Sequence, residues 1–155
     1  MKTINLKENQ IKELSEELSM GAKCFYNFST GEIKVFYPDE SGEFRDFYEE
    51  EEALKYEEIM ENSELYYEFE PMTSRESFQI MEDFVETLSD IGFANRLVYA
   101  LSHSKPFSHF NDIIENSKYR QDWFNFRDEN QKDWVKKQVN RHNHYASFED
   151  DSDEE

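Results

Sequence analysis

The chain has 155 residues, of which 36 are acidic and 17 basic, for a formal net charge of −19. That length fits one domain, or one domain and a tail. No apolar run approaches the ~18 residues of a membrane span, and the clustered Lys and Arg that nucleic acid or an anionic membrane would call for are missing.

A single cysteine, Cys24, leaves no partner for an internal disulfide and suits a reducing compartment. The opening Met1-Lys2-Thr3-Ile4-Asn5-Leu6 turns polar too soon for a signal peptide, so the sequence reads as cytoplasmic. The core must be largely aromatic, since 14 Phe, 9 Tyr and 2 Trp carry much of the apolar area. Charge is segregated. Residues 39–70 hold 14 acidic and 2 basic side chains, and Glu149–Glu155 add six carboxylates, leaving the remainder nearly neutral. A basic partner or simple solubility is the readable consequence.

In chain order, Ile4, Ile11, Leu14 and Leu18 recur at helical spacing before Gly21, which stands where a C-terminal capping glycine belongs. The period then shortens to two. Ala22–Phe28 and Glu32–Tyr37 flank Ser29-Thr30-Gly31, which predicts a β-hairpin with Cys24, Tyr26 and Phe28 on one face, ended by Pro38. Asp39–Gly42 reads as a loop, and Phe44–Met60 as a helix weakened by the like charges Glu49–Glu52. Leu65–Glu70 alternates as a third strand.

Thr73-Ser74-Arg75-Glu76 has the form of a capping box, and Phe78, Met81, Val85 and Leu88 mark an apolar helix face behind it. Gly92 breaks the run, and Phe93, Leu97 and Leu101 open a second helix. Pro106 sits as a first helical residue before Phe107, Phe110 and Ile114. Tyr119, Trp123, Phe126, Trp134 and Val139 define a long helix to about Arg141. The expected architecture is α+β: a short antiparallel sheet packed by an N-terminal helix and a C-terminal helical group. It forms a single domain over 1–145 with an acidic segment at 39–62, followed by a disordered acidic tail at 146–155.

Ser74-Arg75-Glu76, Met81-Glu82-Asp83-Phe84, Leu97–Leu101, Pro106-Phe107 with Phe110 and Asp112, Trp123, Phe126-Arg127-Asp128-Glu129 and Trp134 follow one another in a characteristic order. With the hairpin turn Thr30-Gly31-Glu32, this resembles the UPF0158 family of small, uncharacterised bacterial proteins over residues 4–140, leaving out the acidic tail. The resemblance implies no established activity or cofactor. Many relatives carry a glycine-rich basic stretch around the short helix. Here Ser102, Ser104, Ser108, His109 and Asn111 replace its glycines and cations, while Phe107, Phe110 and Asp112 remain.

Four carboxylates, Glu82, Asp83, Glu86 and Asp90, lie opposite the apolar stripe of their helix. They read first as a solvated face, and alternatively as ligands for Mg²⁺. Arg127 offers a fork of donors for a carboxylate or phosphate, with an ion pair to Asp83, Glu82 or Asp112 as the structural alternative. His103, His109, His142 and His144 show no zinc spacing, and HExxH, GxSxG and a phosphate-cradling glycine loop are absent. Lys132, Lys136, Lys137 and Arg141 read as favourable charge at a helix C-terminus, or as a dock for the acidic segments.

These observations point to a non-catalytic binding or adaptor module without cofactor or metal, its acidic surface meeting a basic protein, with Arg127, Asp112, Phe107 and Phe110 as binding residues. The alternative is a Mg²⁺-dependent hydrolase of a phosphorylated small molecule, using Glu82, Asp83, Glu86 and Asp128. Acidic mimicry of nucleic acid is a third reading of the charge.

Overall fold

The computed structural model describes residues 2–37 and 50–153. Among them lie six α-helices and a three-stranded antiparallel sheet: α1 (Glu8–Ser19), β1 (Lys23–Asn27), β2 (Ile33–Phe36), α2 (Glu50–Glu61), β3 (Tyr66–Phe69), α3 (Ser74–Thr87), α4 (Ile91–Leu101), α5 (Pro106–Glu115) and α6 (Arg120–Asp153). The α+β class is as the order of periods predicts. Pro38, the Asp39–Gly42 loop and the first residues of the Phe44–Met60 helix lie outside the described residues. The chain parts into two compact units, residues 1–71 with 131–155, and residues 72–130.

In the first unit, period-two alternation deals the aromatic strands to two cores. The sheet runs β2-β1-β3, with Cys24 opposite both Val35 and Phe69. Cys24, Tyr26, Phe69, Ile33, Val35 and Tyr67 pack on the α1 side chains Ile11, Leu14 and Leu18 and on Val135 and Val139 of α6. Residues of opposite parity, Phe25, Phe36 and Tyr66, meet Ile59 and Tyr56 of α2 on the far face. The hairpin face of Cys24, Tyr26 and Phe28 is as expected. Gly31 has φ +74°, and the Asn27 side-chain oxygen accepts from the Ser29 and Thr30 N–H groups at 2.8 and 3.1 Å, closing the turn. Gly21, at φ +89°, ends α1 in a Schellman motif: its N–H donates to Leu18 O and that of Ala22 to Glu17 O, each at 3.1 Å.

Helix α6 runs past Arg141, where the apolar pattern stops, to Asp153. The continuation is held by contacts that a hydrophobicity count does not register. Asn143 pairs with the Ile4 backbone, accepting from its N–H at 2.8 Å and donating to its carbonyl at 2.9 Å. Ala146 is buried. Lys132, Lys136, Lys137 and Arg141 therefore lie well inside the helix, and the C-terminal dipole does not explain them.

The second unit packs α3, α4, α5 and the start of α6 around Ile80, Met81, Phe84, Val85, Phe93, Leu97, Phe110, Ile114 and Trp123. The α3 stripe is centred on Ile80, Met81, Phe84 and Val85, whereas Phe78 and Leu88, expected at its centre, are only half-buried. A second correction concerns the α3–α4 break. Gly92 lies in the first turn of α4, and the break is made by Asp90, whose carboxylate caps α4 by accepting from the Phe93 N–H at 3.1 Å. The Thr73 hydroxyl caps α3 as predicted, accepting from the Glu76 N–H at 3.3 Å. Pro106 is the first residue of α5, after Lys105 in the left-handed region at φ 53°.

Candidate functional site

On α3, residues four apart share a face, so Phe78, Glu82 and Glu86 form a row with Val85 beside it. On α4, Val98 and Leu101, with Ser102 at its C-terminal cap, face that row, and the two helices enclose an open groove of about 330 Å³ lined by these seven residues. Its floor is apolar. Val98 is 52% exposed, an apolar side chain that the fold leaves in water. Glu82 and Glu86 are both exposed and make no ion pair or hydrogen bond among the described residues. Four residues of helix separate them by a rise of about 6 Å. Two uncompensated carboxylates beside an apolar floor can hold a cation carried on an apolar stem.

The other carboxylates of the predicted set do not join this pair. Asp83 Oδ1 accepts from Gln79 Nε2 at 2.9 Å. Asp90 serves as a cap, and the Phe93 N–H, followed by the Tyr119 hydroxyl and the Lys118 charge, holds its carboxyl below the usual range. Asp128 lies on α6 and accepts from Arg127. Among the described residues, no three His, Cys, Asp or Glu side chains gather into a metal-holding group.

Arg127 does not make the cross-helix ion pair considered for it. Its guanidinium lies 4.9 Å from the centre of the Phe124 ring and 3.3 Å from Asp128 Oδ1, its immediate neighbour. Arg120 stands over the same ring at 4.6 Å, so one aromatic ring organises both cations. The other expected binding residues are scattered in role. Phe110 is fully buried, edge-on to Trp123 at 4.9 Å. Phe107 meets Phe78 edge-on at 6.3 Å, which brings it beside the groove, and Asp112 is exposed.

Three of the histidines and the cysteine have structural surroundings, whereas His109 is exposed. His142 Nε2 donates to Lys2 O at 2.7 Å, and its ring stacks on Phe28. His103 Nδ1 lies 2.7 Å from Tyr99 O, and His144 packs on Phe148. Cys24 is buried, and burial, followed by the Glu17 and Glu13 charges, pushes its thiol up to about 12.

Sequence reasoning missed the amides. Gln138 is 2% exposed and grips the Glu70 backbone, accepting from its N–H at 2.8 Å and donating to its carbonyl at 2.9 Å. Trp134 Nε1 donates to the same carbonyl at 2.8 Å. Nearby, burial raises the Tyr67 phenol above its ordinary range, against the lowering influence of Arg141. The available signal was an amide four residues after Trp134 and three after Val135, on a helix face otherwise set by hydrophobic spacing.

A family model described as "Uncharacterised protein family (UPF0158)" matches residues 25–155. The chain belongs to this family. The UPF0158 match begins within β1, takes in both walls of the α3–α4 groove, and includes the acidic tail that the sequence resemblance left out. Searches of curated proteins and of solved structures return no match. No helix among the described residues is long and apolar enough to cross a membrane.

Proposed function

We propose that this UPF0158 protein is a non-catalytic binding module whose acidic surface meets a basic protein partner. The observation that supports this most is uncompensated acidity beside exposed apolar surface. Glu82 and Glu86 stand without counter-charge at a groove whose floor leaves Val98 exposed. The excess of acidic over basic residues, 36 to 17, supplies a long-range field that speeds the approach of a basic chain.

A Mg²⁺-dependent hydrolase built on Glu82, Asp83, Glu86 and Asp128 has less support, because Asp83 and Asp128 are each occupied by a neighbour on their own helix. The test is capture of partners at about 0.15 M salt, against a control protein of equal charge, followed by rebinding of each purified candidate. One basic protein that rebinds is the expected result. Retention of the same salt-labile mixture by protein and control would overturn the reading.

A further inference from the structure

The α3–α4 groove sets the carboxylates of Glu82 and Glu86 beside Phe78, Val85, Val98 and Leu101. We infer that it is the docking site for an amphipathic basic helix of a partner protein, with apolar side chains on the floor and a pair of Lys or Arg residues one turn apart on Glu82 and Glu86. This rests on the binding-module reading and narrows it to one surface and one kind of occupant.

Charge complementarity favours a basic occupant. Glu82 and Glu86 lie on one wall of a groove of about 330 Å³, both exposed and without partners among the described residues. Neither serves as a cap, unlike Asp90, and neither bonds along its helix, unlike Asp83. The floor asks for an apolar component as well. Phe78, Val85 and Leu101 are partly or largely covered, while Val98 remains 52% exposed.

The geometry of the groove favours a helix. The occupant must put cations on one rim and apolar groups on the floor at the same time. A strand sends successive side chains to opposite faces, so residues between its two cations would point away from the floor. A helix places residues at i and i+4 about 6 Å apart along its axis, matching the Glu82–Glu86 rise, and carries its apolar stripe about a quarter-turn from that basic flank. Laying the apolar face of a helix into a groove is an established mode of peptide recognition.

The probe is a fluorescein-labelled, helix-forming peptide of about 18 residues, with a leucine stripe and two flanking lysines at i and i+4. The controls are a scrambled peptide of the same composition and one with glutamate in place of both lysines. Fluorescence anisotropy measures binding to the full chain and to three variants: Glu82→Gln/Glu86→Gln, Val98→Ser, and Glu57→Gln/Glu58→Gln on α2. All five substituted side chains are exposed, so thermal melts should show that each variant folds.

The expected result is saturable binding of the amphipathic peptide alone, weakened about tenfold or more by the α3 pair, weakened by Val98→Ser, and little changed by the α2 pair. If the peptide binds as well to the α3 and Val98 variants and is lost with the α2 pair, the groove is the wrong site while the acidic binding module stands. Equal binding of the scrambled peptide overturns the helical occupant. No binding of any basic peptide at about 1 mM overturns both.

Discussion

The two units of this chain use polar side chains in opposite ways. In residues 1–71 with 131–155, Gln138, Asn143 and His142 are turned inward to backbone groups of Glu70, Ile4 and Lys2. In residues 72–130, the core is aromatic and aliphatic, and the carboxylates of α3 are left outside it. Polar residues that are unremarkable in the sequence hold the first unit together. In the second, the exposed Glu82 and Glu86 are left to meet something else. The reason is cost: a buried backbone group without a partner is penalised by about 1–3 kcal/mol, so an amide that supplies donor and acceptor together is hard to replace, whereas an exposed carboxylate is free to vary.

Each unit contains one tryptophan, Trp123 or Trp134, so variants with a single tryptophan can follow the units separately. The largest expected effect is in the second unit. Phe110→Ala removes a fully buried ring packed on Trp123 and should cost about 3–5 kcal/mol. In denaturant, the Trp123 signal should then be lost earlier than that of Trp134. Equal shifts of both would erase the distinction between the units.

Gln138→Leu should follow, at about 1–3 kcal/mol, because the Glu70 N–H loses its acceptor in a partly buried setting. A change within about 0.5 kcal/mol on chemical denaturation would show that the amide is dispensable and that the contrast rests on packing alone.

A smaller effect is expected at high pH. The buried Cys24 thiol stays protonated in the folded state until about 12, against an ordinary value of 9.0. The unfolded chain therefore releases its proton first, and the contribution of Cys24 to stability falls as pH rises from the ordinary value toward the raised one. Cys24→Ala should flatten the alkaline limb of the stability curve, and the native thiol should react with a disulfide reagent only on unfolding. Rapid reaction of the native protein would place the thiol outside the core.

Smallest of all should be Arg127→Ala. Its partners are the adjacent, exposed Asp128 and the Phe124 ring, together worth about 1 kcal/mol or less. A melt lowered by much more would restore the cross-helix lock that the sequence suggested.

Legibility in the sequence followed the same division. Period and punctuation located the hairpin, the third strand, the Thr73 cap and the Pro106 start, since alternation, turn glycines and capping residues act over a few residues. They also left Glu82 and Glu86 exposed, as they are, but set them opposite Phe78 and Val85, with which they line the groove. What depended on distant partners was not legible. The end of α6 was set too early because Asn143 and Ala146 find their contacts through tertiary packing. Asp90 was read as part of a carboxylate face because capping depends on where the preceding helix stops. Val98 stood in the sequence only as a member of the Leu97–Leu101 stretch, and the juxtaposition of α3 and α4 makes it part of a groove.

The grip of Gln138 on Glu70 also bears on how the chain avoids adhering to its own copies. Strand β3 lies at one edge of the sheet, and an edge strand is a template on which another chain can continue the ladder. Glu70 follows β3 directly, and both its N–H and its carbonyl are already engaged by a helix side chain that imitates the donor–acceptor pair of a neighbouring strand. The amide thus acts as a stopper on the end of that edge. Gln138→Leu, besides lowering stability, would leave the stopper out and favour edge-to-edge aggregation in molecules that remain folded.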